Sequence, residues 1–197
     1  GLSWEFIQRI EEAAARLLKE AEYQSAGTVE FLYDTEKEEY YFMEVNTRLQ
    51  VEHPITEELY QVDLVQGQID VAFGKGLGEG VVEGDEKGWL KEPKGTVLEA
   101  RLNAEDPDRD FTPAPGLISV LAFPTGAGIR IDSGVEQGSR IPGEFDSMIA
   151  KVIARGANRG EALARLVRAL KGMRIGIEGG TTNRAFLVEL LTRSGVA

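Results

Sequence analysis

Two apolar strands on either side of a short polar run place a glutamate on each arm of one turn. That arrangement narrows what this chain can fold into more than any other feature. Residues 28–33 and 40–46 read as two largely apolar strands, and Asp34–Glu39 between them is wholly polar, which together predict a β-hairpin. Symmetric pairing about Lys37 sets Glu30 opposite Glu44 on one face, with Cβ atoms roughly 5 Å apart. The other face is then expected to bury Val29, Phe31 and Tyr33 against Tyr41, Met43 and Val45, leaving Leu32 and Phe42 beside the two acids. Opposed like charges destabilise a hairpin unless a cation or a proton lies between them. Mg²⁺ suits such a pair, because it takes one or two carboxylates and leaves room for phosphate oxygens and water. Spacing alone leaves open a plainer reading, two solvated glutamates on an edge hairpin.

The residues that follow make the first reading stronger. Glu44–Pro54 carries seven polar or ionisable side chains in eleven residues, directly after an apolar strand. A strand end opening into a dense polar loop is a usual seat for reacting groups. Arg48 can clamp an oxyanion and Glu52 can act as a general base. His53 precedes a proline and has no serine, cysteine or second histidine for a triad, so it is expected to be a structural hydrogen-bonding residue.

The rest of the chain reads as α+β. Residues 4–22 form an amphipathic helix capped by Ser3, a second helix starts at the cap Thr56 and runs to Phe73 with a break near Tyr60, and Gly74 stops it. Residues 74–95, rich in Gly, Glu and Lys, read as a loop between two units, with the boundary expected at 85/86. Short apolar runs at 96–103, 117–123, 128–132 and 147–154 follow, then a helix over 159–172 capped by Asn158, a strand at 173–177 and a helix over 182–192. The acidity is lopsided: residues 1–98 hold nine basic and 21 acidic side chains, whereas residues 99–197 hold 13 and 12. A net charge of −11 argues against nucleic acid as the main partner, and no apolar run reaches the roughly 20 residues of a membrane span. Without cysteine, disulfides, Fe–S clusters and zinc–thiolate sites are excluded, which suits a cytoplasmic protein.

Glu44–Thr56 (EVNTRLQVEHPIT), preceded by Gly27–Leu32 (GTVEFL), resembles the signature of biotin carboxylases within the ATP-grasp superfamily. Glu99–Pro107 (EARLNAEDP), Pro113–Gly116 (PAPG) and Asp146–Lys151 (DSMIAK) are similar to that family's C-terminal domain, in the same order. The resemblance implies the second half of an ATP-grasp core, antiparallel strands plus helices, over 1–85, followed by a biotin carboxylase C-terminal α+β domain over 86–197. It also implies a function, the ATP- and bicarbonate-dependent carboxylation of carrier-bound biotin through carboxyphosphate. Position by position, Glu30, Glu44 and Asn46 match ligands of Mg²⁺ or Mn²⁺ on ATP, and Leu32 matches an adenine contact. Arg48, Gln50 and the backbone of Val51 match the groups around bicarbonate, Glu52 the base that deprotonates it, and Arg101 the arginine that holds the biotin enolate.

Other expectations follow from the same resemblance. The parts that precede this region in the family, a Rossmann-like domain and a nucleotide-covering lid with its lysines, have no counterpart here, so the 197 residues are expected to be inactive alone. Partners would be those missing regions, a biotin carboxyl carrier domain, a carboxyltransferase of acyl-CoA type and a second copy in a homodimer, with no nucleic acid and no membrane. The sequence departs from the family at Tyr60-Gln61 (often Thr-Gly), at Thr96 (often His) and at Ala127 (aromatic in the bacterial dimer), while Arg130 is kept. The alternatives are another ATP-grasp ligase, such as a carbamoyl-phosphate synthetase, or a non-catalytic domain that binds a carrier or subunit.

Overall fold

The computed structural model describes residues 2–75 and 92–196 and divides the chain into two compact units, Gly1–Pro93 and Lys94–Ala197. The boundary expected at 85/86 lies outside the described residues. No helix among the described residues is long and apolar enough to cross a membrane.

In the first unit, helix α1 (Trp4–Glu20) begins at Ser3, whose Oγ accepts a hydrogen bond from the Phe6 N–H at 3.2 Å. Phe6 is the buried anchor of this helix, and its ring meets Tyr33 and Tyr40 edge to face at 5.0 and 5.8 Å. Those tyrosines belong to β1 (Thr28–Asp34) and β2 (Glu39–Asn46), the antiparallel hairpin. Its turn is held by Asp34, whose carboxylate accepts the N–H groups of Glu36 and Lys37 at 2.9 and 3.1 Å.

The hairpin corrects one expectation. Glu30 does face Glu44, but the register slips immediately afterwards, so Phe31 pairs with Phe42, Leu32 with Tyr41 and Tyr33 with Tyr40. Met43 is the extra residue of a β-bulge. The aromatic face is therefore Phe31, Tyr33, Tyr40 and Phe42, and Tyr41 rather than Phe42 shares the glutamate face with Leu32. Tyr41 and Met43, expected in the core, are exposed. The bulge lets the aromatics reach Phe6 without moving Glu44 off its partner.

The helix expected from Thr56 is two helices, α2 (His53–Tyr60) and α3 (Leu64–Ala72). The first starts three residues earlier than expected because Pro54 suits a first helical turn, where a missing N–H costs nothing. The break is at Gln61, which caps α2 in the left-handed conformation (φ 56°, ψ 48°). Asp63 then caps α3 by accepting the Gln66 N–H at 2.7 Å, and the buried Glu57 carboxylate accepts the Leu64 N–H at 2.9 Å. Gly74, at φ 71°, ends α3 as expected.

The second unit contains β3 (Thr96–Asn103), β4 (Glu105–Asp106), β5 (Thr112–Pro113), β6 (Gly116–Ala122), β7 (Ile129–Ser133) and β8 (Arg140–Ile141). These are followed by β9 (Met148–Gly156), helix α4 (Arg159–Gly172), β10 (Arg174–Glu178) and helix α5 (Arg184–Leu191). One antiparallel sheet has the order β3-β9-β7, another β10-β6-β8, and β4 pairs with β5 alone. Alternation along the central strand β9 turns Ala150, Val152 and Ala154 into a core shared with Ala100 and Leu102 of β3 and with Leu166 and Leu170 of α4. Helix α4 can lie this close because Gly156 has no side chain: a Cβ there would sit 2.4 Å from the backbone nitrogen of Ala162. Asn158 caps α4 through the Glu161 N–H at 3.0 Å, as the sequence predicts.

The left-handed cap at Gln61 costs the chain what glycine would not. We expect Gln61→Gly to raise the unfolding free energy by about 0.5–1 kcal/mol, and Gln61→Ala to leave it unchanged or lower it. Urea denaturation checks this, and a glycine variant no more stable than the starting chain would show that the strain is not there.

Candidate functional site

The hairpin ladder holds Glu30 and Glu44 directly across from each other, one strand apart, at the end of the hairpin away from its turn. Among the described residues neither carboxylate has a cationic partner. Amides serve instead: Asn46 Nδ2 donates to Glu30 Oε1 at 2.8 Å and to Glu44 Oε1 at 3.1 Å. Gln50 Nε2 also donates to Glu30 Oε1 at 3.1 Å. A single amide group thus bridges the two acids from the position a cation between them would take. Half a turn of the Asn46 carboxamide presents its oxygen there, giving two carboxylates and one carbonyl oxygen, a hard-oxygen set that fits Mg²⁺ or Mn²⁺. The described residues contain no cluster of three His, Cys, Asp or Glu side chains, so the rest of such a shell would have to come from a ligand or water.

Leu32 lies one step along the same face, 57% exposed and paired with Tyr41. It forms an apolar shelf beside the acids. Arg48 is exposed on the loop after β2, its Nη1 donating to the Leu49 carbonyl at 3.3 Å. His53 closes that loop, with Nδ1 at 2.7 Å from the Gln50 carbonyl, a structural role as expected from the sequence. Glu52 is exposed at the N-terminal end of α2, where unpaired N–H groups favour a negative charge. Gln50, Glu52 and His53 share the wall of a recess of about 590 Å³ with Gly27, Thr28 and Gln68. Glu30, Glu44, Asn46 and Gln50 are therefore brought into one hydrogen-bonded group, with Arg48, Val51 and Glu52 on the loop that leaves it.

Arg101 belongs to the second unit. It is exposed on β3, on the sheet face turned away from the core, and its partner in the ladder is Lys151 of β9. Lys151 is only 9% exposed and pairs in turn with Asp132 of β7, its Nζ 3.6 Å from Oδ2. Arg130 completes the row with two bonds to the same carboxylate, Nε at 2.8 Å and Nη2 at 2.9 Å. Burial works to raise the Asp132 pKa, but the Arg130 bonds and charge, together with Lys151, hold it below its ordinary value of 3.8. Sequence reasoning missed Lys151 and Asp132. The available signal was a lone lysine inside Met148–Gly156, a strand otherwise apolar up to Arg155.

Residues 99–197 match the family profile described as the biotin carboxylase C-terminal domain, and residues 1–80 match that of the carbamoyl-phosphate synthase L chain, ATP binding domain. The chain is 44% identical over 191 residues to Biotin carboxylase 1 of Bacillus subtilis, which is 97% of this chain and 40% of that protein. It is 50% identical over 165 residues to the biotin-dependent acyl-coenzyme A carboxylase alpha3 subunit of Mycobacterium leprae, 83% of this chain and 26% of that one. In three dimensions it is similar to the biotin carboxylase domain of a thermophilic 2-oxoglutarate carboxylase bound to bicarbonate, with a TM-score of 0.89, 34% identity and 99% of this chain covered against 42% of that one. The corresponding domain dimer from Hydrogenobacter thermophilus, in complex with MgADP, ADP and bicarbonate, gives a TM-score of 0.88 at 34% identity over 98% of this chain and 40% of that one. The chain thus spans about two fifths of the length of the Bacillus relative.

The Asp132 row has a pH signature. Because its folded pKa lies below the unfolded one, its stabilisation is present above the unfolded pKa and is lost as pH falls through the folded value. We expect the stability difference between the unchanged chain and Asp132→Asn to be constant from pH 7 to 5 and to shrink below about pH 4. Chemical denaturation at several pH values measures it, and a difference independent of pH down to 3 would refute the assignment.

Proposed function

The chain belongs to the biotin carboxylase family, and from that premise we propose that it carries the bicarbonate-activating and metal-binding part of an ATP-dependent biotin carboxylase. The observation that carries this reading is the face-to-face pair Glu30 and Glu44, bridged by one amide and free of cationic partners among the described residues. A hairpin built only for stability would not keep two carboxylates in register. In this reading Glu30, Glu44 and Asn46 hold Mg²⁺ or Mn²⁺. That ion, when bound, offsets phosphate charge and orients the nucleotide. Leu32 offers its exposed surface to the adenine base.

Arg48, with Gln50 and the Val51 backbone, holds bicarbonate, a small planar oxyanion suited to a guanidinium fork. Glu52 takes the bicarbonate proton, so that an oxygen of the resulting anion attacks the γ-phosphorus of ATP and ADP leaves. The carboxyphosphate formed breaks into CO₂ and phosphate. Phosphate accepts the N1′ proton of the ureido ring, and the nitrogen attacks CO₂. Arg101 faces the negative charge that develops on the ureido oxygen, with the buried Lys151 behind it. The match of residues 99–197 to the biotin carboxylase C-terminal domain favours this reading over another ATP-grasp ligase. The likeness to the acyl-CoA carboxylase subunit favours an acyl-CoA type of parent enzyme and a role in fatty acid metabolism, with a biotin carrier and a carboxyltransferase as partners. A cysteine-free, acidic chain is in keeping with the cytoplasm.

Two measurements test this. Mn²⁺ titration of the 197-residue chain, followed by electron paramagnetic resonance, is expected to show one bound ion whose affinity falls at least about tenfold, or 1.4 kcal/mol, in Glu44→Gln. Equal binding by both chains removes the metal assignment. A carboxylation assay with ATP, bicarbonate and free biotin is expected to give no product above a Glu52→Gln control, since no nucleotide-covering lysine cluster is recognisable in the sequence. Product above that control would show that these residues suffice.

A further inference from the structure

Asn183 stands at the start of α5, where an asparagine ordinarily turns its side chain back to cap its own helix. It does not do so. Its carboxamide reaches across to the outer edge of β3, accepting the Asn103 N–H at 3.0 Å and donating to the Arg101 carbonyl at 3.1 Å. Its backbone N–H donates to the Asn103 carbonyl at 3.1 Å. Three groups on an edge strand are thus satisfied by one residue, 6% exposed, acting as a short neighbouring strand would. On its other edge the β3–β9 register shifts between Leu102 and Asn103 and resumes with the Ala104 N–H donating to the Ser147 carbonyl at 2.8 Å, so a bulge lies one residue past Arg101. Asn183 is itself fixed by the next residue, since Arg184 Nη1 donates to the carbonyls of Met173 and Leu170, at 3.1 and 3.3 Å, where α4 ends.

We infer that Asn183 is a positioning residue for Arg101, holding from the outer edge of β3 the backbone from which that guanidinium projects, next to the bulge. The inference rests on the reading of Arg101 as the group facing the ureido oxygen. The carboxamide gives up a helix cap and makes two bonds to β3 in its place, the third coming from the Asn183 backbone N–H. The consequence is local. Both side-chain bonds end on Arg101 and Asn103, so loosening should be confined to Arg101–Asn103.

The test uses the 197-residue chain with Asn183→Asp and Asn183→Ala. Aspartate can still accept from Asn103 but cannot donate to the Arg101 carbonyl, whereas alanine loses both side-chain bonds. Amide hydrogen exchange at Asn103 is expected to accelerate at least tenfold in Asn183→Ala and less in Asn183→Asp. Titration with biotinamide, read on the Arg101 Nε–Hε signal by NMR, is expected to give a displacement per millimolar at least threefold smaller in both variants. Amides of β6 and β10 should keep their exchange rates. An Arg101 response to biotinamide that is unchanged in both variants overturns the positioning role while leaving the reading of Arg101 intact. No response in the unchanged chain, or equal backbone-amide displacements at Leu102 and Asn103 on adding biotinamide to Arg101→Lys, which has no Nε–H of its own, overturns that reading and the inference with it. Loss of protection throughout the sheet would show Asn183 to be merely structural, and would also overturn it.

Discussion

Two carboxylates facing each other across an antiparallel ladder set the terms for the first unit. Like charges this close must be compensated, and the chain compensates Glu30 and Glu44 with amides instead of cations. An amide is a weak substitute for a cation and can turn to present oxygen, so the arrangement holds together without being closed to a metal. The Met43 bulge follows from the same demand. It allows Glu44 to remain opposite Glu30 while Tyr33 and Tyr40 meet Phe6 and Phe31 meets Tyr40. A regular hairpin could satisfy the acids or the aromatics, but not both.

The second unit solves a different problem on β9. One side of that strand is small and apolar, which lets α4 pack closely, and the other side carries Lys151 in line with Arg101 of β3 and Asp132 of β7. Burying Lys151 requires a carboxylate within reach, and Asp132 serves it while also binding Arg130. Asp132, Arg130 and Lys151 therefore form one electrostatic unit on β7 and β9, with Arg101 beside Lys151 on β3.

Most elements of this architecture were legible in the sequence, because alternation and capping are local. Ser3 and Asn158 announce their helices, and the span of β3 is readable to the residue. What escaped depends on contacts between distant positions. A one-residue bulge leaves no trace in alternation over seven residues, so Tyr41 and Met43 were expected to point inward. The division of α2 from α3 was half visible: Tyr60-Gln61 departs from the family's usual pair, but only the backbone shows that Gln61 adopts the conformation glycine would favour. The grouping of Glu30, Glu44 and Asn46 could be read from register and motif, whereas the bond from Gln50 to Glu30 could not, because it needs the loop's course. Asn183 was invisible for the same reason, since it acts on a strand remote in sequence, and Lys151 showed only as a lone lysine in an apolar strand, with nothing to point to Asp132.

The two units also differ in how much they bury. Among the described residues of the first, only Phe6, Pro54, Glu57 and Gly67 are buried, whereas the second encloses a continuous core drawn from Ala100 to Met173. Resistance to heat follows enclosed apolar surface, so the first unit should begin exchanging its amides and losing its aromatic circular dichroism well before the second does. Unfolding would then proceed in two stages of unequal size, and a single melting temperature would describe neither unit.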